Sequence, residues 1–189
     1  LNKITLPSTI TFIGEAAFCK CLNLKQITIP SSITSIESSL FYACMSLKQI
    51  FIPPSVTSIK NKAFKGCKSI IEISFPSSLT SIGNNAFYEC TNLAEVEFSS
   101  PSSLFSIGDF AFSFCSSLKL ILIPNSVTSI GGAAFYGCNQ LTQFTLPSSL
   151  ESLGKFSLYQ CQIIELKIPK SIVKKVDLSD FDLLNKIYI

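Results

Sequence analysis

Apolar and polar positions alternate in a short phrase that returns every two dozen residues or so. In Leu24-xx-Ile27-x-Ile29 the apolar pair is interleaved with Gln26 and Thr28, the period-two pattern of a half-buried strand. The phrase recurs at 1–6, 47–52, 70–75, 93–98, 118–123, 141–146, 163–168 and 184–189. A proline follows every copy but the last, and proline cannot donate the next ladder hydrogen bond, so it closes the strand. Nine such strands predict one parallel sheet with neighbours about 4.8 Å apart.

After each proline stand one or two small polar residues and an apolar pair three apart, such as Ile33 and Ile36 or Val127 and Ile130. Thr-Ser between them predicts a second short extended segment. Gly14, Gly83, Gly108, Gly131 and Gly154 then share a column in which a positive φ would turn the chain, although Glu37 and Lys60 occupy it too. Next comes x-x-Ala-Phe-x-x-Cys, whose inward pair three apart predicts one turn of α- or 3₁₀-helix.

The intervals between successive prolines from Pro7 to Pro169 are 23, 23, 23, 25, 23, 23 and 22. A fixed period of this length means a stack of repeats, in which each unit buries its apolar face against the next. The extra residues Ser99 and Ser100 predict a bulge or enlarged turn at one strand exit, with the columns back in phase at Leu104 and Ile107. The fold class expected is an α/β repeat solenoid of about eight repeats, with the sheet on its concave side and helical turns on the other. It forms one domain over 1–189, regular to 172 and atypical over 173–189. The missing initiator methionine and the strand phrases at both ends predict a piece of a longer chain.

The phrase I-P-x-S-[VI]-T-S-I-G-x-x-A-F-x-x-C-x-x-L-x-x-I-x-I resembles the BspA-like class of leucine-rich repeats, over residues 1 to about 172. The resemblance implies a non-catalytic binding or adhesion module of a cell-surface or secreted protein, in contact with host or matrix protein. It supplies no catalytic residues. An intracellular scaffold, or the recognition domain of a larger receptor or enzyme, stands as the alternative; free thiols and the absence of any Asn-x-Ser/Thr sequon lean toward the scaffold.

Composition narrows the chemistry. The chain is 47% hydrophobic and 14% charged, yet no apolar run approaches the ~18 residues of a membrane helix. Net charge is only +3, and all 15 basic residues are lysines, so the guanidinium that reads guanine is absent and nucleic acid is not an expected partner. There is no histidine, which removes the commonest general base and metal ligand and forbids a Cys-His nucleophile. No enzyme, cofactor or metal site is expected.

Seven cysteines, Cys21, Cys44, Cys67, Cys90, Cys115, Cys138 and Cys161, follow the same period. Zinc ligands converge from local pairs; a ladder does not converge, so these are read as small apolar filler, free of disulfide and metal. Cys19 lies off the column and is read as a surface thiol. Lys60, Lys62, Lys65 and Lys68 form the one dense charge run, read as a solvated edge. The outward strand positions are mostly polar, but Phe51, Leu120 and Leu122 break that rule among Glu72, Glu95 and Glu97. Apolar residues on a wet face rimmed by charge mark a contact site, and these six are the candidate partner-binding residues, for a protein or peptide carrying lysine or arginine.

Overall fold

The computed structural model describes residues 2–170, 172–173 and the backbone of 186–188. The chain winds into about seven coils with three walls around one apolar core. The expected atypical end, 173–189, falls largely outside the described residues.

The front wall holds the nine strand phrases: β1 (Lys3–Thr5), β2 (Gln26–Thr28), β4 (Gln49–Ile50), β6 (Glu72–Phe75), β8 (Glu95–Phe98), β10 (Leu120–Ile121), β12 (Gln143–Thr145), β14 (Glu165–Lys167) and β15 (Lys186–Tyr188). All pair in parallel and in repeat register, for example Glu72 with Glu95 and Leu120 with Glu95. They make three three-stranded sheets, β1-β2-β4, β6-β8-β10 and β12-β14-β15, rather than the one sheet expected. The breaks fall between β4 and β6 and between β10 and β12.

The second wall is the Thr-Ser segment: β3 (Ser35–Ile36), β5 (Ser58–Ile59), β7 (Ser81–Ile82), β9 (Ser106–Ile107), β11 (Ser129–Ile130) and β13 (Ser152–Leu153). These form one unbroken parallel sheet. The carbonyls of Pro7, Pro30, Pro53, Pro76, Pro124, Pro147 and Pro169 each accept from the amide three residues on, as Ile33 to Pro30 at 3.1 Å, and this turn joins the first wall to the second; after Pro101 the Leu104 amide donates to Ser102 Oγ instead.

The third wall corrects the helical turn, and with it the α of the expected α/β class. Ala16 and Lys20 have φ of 55° and 57°, in the left-handed region, and the same two positions are left-handed in every following coil through Phe156 and Gln160. A helix needs uninterrupted right-handed residues. Here alternate amides bond within the coil, as Cys19 to Ala16 at 2.9 Å, while those between them bond to the next coil. Ala16, Phe18 and Lys20 donate to the carbonyls of Ser38, Leu40 and Tyr42. The accepting peptides donate onward through Ser39, Phe41 and Ala43, and the relay continues until Ala133, Phe135 and Gly137 reach Lys155, Ser157 and Tyr159. The spacing of Phe18 and Cys21 serves this turn as well as it would serve a helix.

The glycine column also has another cause. None of Gly83, Gly108, Gly131 or Gly154 has a positive φ. A methyl group on Gly83 would lie 2.7 Å from Asn61 Oδ1 and 2.8 Å from the Asn61 nitrogen; on Gly131 it would lie 2.6 Å from Asp109 Oδ1. Those oxygens are occupied: Asn61 Oδ1 accepts from the Asn84 amide, Asn84 Oδ1 from Asp109, and Asp109 Oδ1 from Gly132. Glycine is needed where the backbone of the preceding coil comes this close, with an Asn or Asp oxygen beside it at Gly83, Gly108 and Gly131 and with the Gly131–Gly132 backbone alone at Gly154. Glu37 and Lys60, which follow Glu15 and Ser38, stand where no such carboxamide intrudes.

Inside, Phe18, Phe41, Phe64, Phe87, Phe112 and Phe135 stack face to face with centroids 5.1–5.6 Å apart. Phe64, Phe87, Phe112, Cys67, Cys90 and Cys115 are fully buried, as the column reading requires. Each column thiol from Cys44 to Cys161 donates to a phenylalanine carbonyl one coil back, for instance Cys90 Sγ to Phe64 O at 3.2 Å. The cysteine column is therefore a ladder of hydrogen bonds as well as filler.

Candidate binding face

The front wall alternates by construction, one side chain into the core and the next out. Val96 and Ile121 point in; Glu95, Glu97, Leu120 and Leu122 point out and are exposed. Phe51, just past β4, and Leu122, just past β10, are each 68% exposed, and Leu120 is 49% exposed.

Four of the six candidate residues come together. Glu95, Glu97, Leu120 and Leu122 line an open trough of about 600 Å³ between β8 and β10. Phe51 and Glu72 line a separate, smaller hollow of about 300 Å³ between β4 and β6, across the break in the front wall. Two further residues of the main trough escaped the outward-column reading. Lys119 directly precedes β10, and Phe98 occupies an inward column but is only half-buried beside the inserted residues. The insertion just past Phe98 was the available signal.

Electrostatically this face is unbalanced. Glu72 and Glu95 are register partners, and like charges directly opposite each other repel. Glu97 accepts a hydrogen bond from Ser74 Oγ at 3.2 Å, yet among the described residues no lysine forms an ion pair with Glu72, Glu95 or Glu97. The described ion pairs lie elsewhere, Lys60 with Glu37 at 2.8 Å and Lys167 with Glu165 at 3.6 Å. The lysine run is dispersed among local contacts: Lys60 has Glu37, Lys65 sits 4.4 Å from the centre of the Tyr88 ring, and Lys62 and Lys68 are solvated.

Among the described residues no cluster of metal-ligating side chains occurs, and no helix is long and apolar enough to cross a membrane. Burial pushes the Cys44 and Cys90 thiols up to about 12, and pushes Cys67, Cys115 and Cys138 well above the ordinary thiol range. Reactive thiols lie below that range, not above it.

The sequence profile of the BspA type leucine-rich repeat region matches in six copies, over residues 1–106 and 105–188. No curated protein matches. Among solved structures, a leucine-rich repeat protein from Bacteroides ovatus is 37% identical with a TM-score of 0.84, over 90% of this chain and 44% of that one. The T. pallidum leucine-rich repeat protein TpLRR is 36% identical with a TM-score of 0.58, over 65% of this chain and 56% of that one. A leucine-rich cell surface protein from Faecalibacterium prausnitzii, at 23% identity and a TM-score of 0.59 over 91% of this chain and 64% of that one, shares the fold. The chain spans about half the length of the first two relatives. Its repeats, register and profile place it in one group: the chain belongs to the BspA-type leucine-rich repeat family.

Proposed function

We propose that this chain is a non-catalytic protein-binding module of a surface or secreted protein, and that its front wall is the contact face. The observation that carries this reading is the trough between β8 and β10. There an exposed apolar step, Leu120 and Leu122, adjoins Glu95 and Glu97, which form no ion pair with a lysine among the described residues. Burying the leucines contributes binding free energy, while the glutamates attract a segment carrying lysine or arginine and fix its register. Phe51 and Glu72 extend the strip by one more hollow.

The surface assignment rests on the family likeness. Six of the free thiols do not weigh against it, because the column sulfurs from Cys44 to Cys161 donate to carbonyls and are sealed in the core. They are equally compatible with an oxidising and a reducing compartment.

Leu122→Lys tests the face, since position 122 is 68% exposed and lies outside the buried core. The variant is expected to keep its melting transition and to lose capture of a host matrix protein that binds the parent chain. Unchanged capture by the folded variant removes the front wall as the contact face. Lost self-association with capture intact assigns the apolar step to contact between copies.

A further inference from the structure

We infer that the two-residue insertion Ser99–Ser100 is part of the binding site, and that its ligand is an extended peptide with a large apolar side chain within two residues of a lysine or arginine. The inference rests on the front-wall reading and goes beyond it by naming a second wall and the ligand's local chemistry.

Three observations converge on one place. The coil from Pro76 to Pro101 is 25 residues long where the others are 22 or 23, and its extra residues follow directly on β8. In stacked repeats, insertions loop out on one face, often the binding face. Secondly, the insertion opens a hollow of about 400 Å³ whose walls include Ser100, Pro101 and Ser126. Phe98 and Leu122 line both this hollow and the acidic trough, so the two are continuous.

The third observation is an orphaned hydroxyl. Ser55, Ser78 and Ser149 occupy equivalent positions and donate to the carbonyls of Ile33, Val56 and Val127 at 2.6–2.7 Å. Ser126 follows the lengthened coil, and among the described residues its Oγ is buried without a partner. A buried donor is rarely left so. Ser126 is in the wall of the insertion hollow, where turning its hydroxyl outward would let it donate to a peptide carbonyl.

The ligand's chemistry follows from the order of the walls. The apolar step and the glutamates stand one strand apart, about 4.8 Å, whereas same-side residues of an extended chain are about 6.6 Å apart. A chain lying there places its apolar and basic side chains no more than two residues from each other. The trough is open rather than enclosed, and its two ends differ, serine hydroxyls at one and Lys119 at the other. This suits a length of main chain rather than a small molecule.

The test is selection from a phage-displayed random dodecapeptide library on the folded chain, followed by fluorescence anisotropy with the enriched peptides. The expected consensus is an apolar residue and a lysine or arginine within two positions. Glu97→Lys should weaken those peptides by about tenfold or more. Deleting Ser99 and Ser100 restores the 23-residue period and should abolish binding while the circular dichroism spectrum is retained. Should the deletion fail to fold, Ser126→Ala serves, because its hydroxyl has no partner among the described residues. That variant should keep its stability and lose about threefold to tenfold in affinity. An acidic consensus, no enrichment, or binding indifferent to both insertion variants overturns the inference. Loss with Leu122→Lys but not with the insertion variants overturns it too, while leaving the front wall standing; indifference to all of them removes both.

Discussion

Cys90 shows how much a single side chain is asked to do. Its thiol fills a gap beside the phenylalanine stack, donates to the Phe64 carbonyl, and is held protonated by burial with a pKa up to about 12. In the unfolded chain that thiol would titrate near 9. Between pH 9 and 12 the unfolded chain therefore releases protons that the folded chain keeps, and stability is expected to fall as pH rises through that window. Urea midpoints at pH 7.5, 9 and 10 should decline, and less steeply for Cys90→Ala. At pH 8 a thiol reagent should label Cys19 and Cys21 promptly and the six buried cysteines only after denaturation. The stack beside them is steeper ground. Phe87 is fully buried between Phe64 and Phe112, so Phe87→Ala should cost about 3–5 kcal/mol by denaturant titration.

At the scale of the element, the instructive coil segment is x-x-Ala-Phe-x-x-Cys. Its side-chain columns were legible because burial repeats the same residue type every 23 positions or so, whatever the backbone does between them. Its backbone was not, since Phe and Cys three apart fit a helical turn and this left-handed relay equally. Among the described residues, twelve other than glycine hold φ near +55°, a conformation that costs about 1–2 kcal/mol apiece. Lys62, exposed with φ 59°, gives the cleanest test: Lys62→Gly should gain up to about 1 kcal/mol. The glycine column misled for a related reason. Its cause lies one coil away, in the close backbone of the preceding coil and the Asn61, Asn84 and Asp109 oxygens, and a single coil read alone does not show it. Gly131→Ala should accordingly cost about 1–3 kcal/mol through overpacking. The proposed contact face was half legible: outward alternation located Leu120, Leu122 and the glutamates, while Phe98 and Lys119 join them only through the shape of the trough.

For the molecule as a whole, the relay along the third wall has a consequence for how such stacks meet. Three threads of peptide groups run from coil to coil, and in all three the N–H faces the C-terminal neighbour. Peptide dipoles linked in this way add and polarise one another, as they do along a helix axis. Here they run across the chain rather than along it. The wall consequently has a positive pole toward later coils and a negative pole toward earlier ones. A stack with poles can be lengthened, or joined to another through this wall, only head to tail. Two copies meeting end to end about a two-fold axis would set donor against donor, or acceptor against acceptor, in every thread.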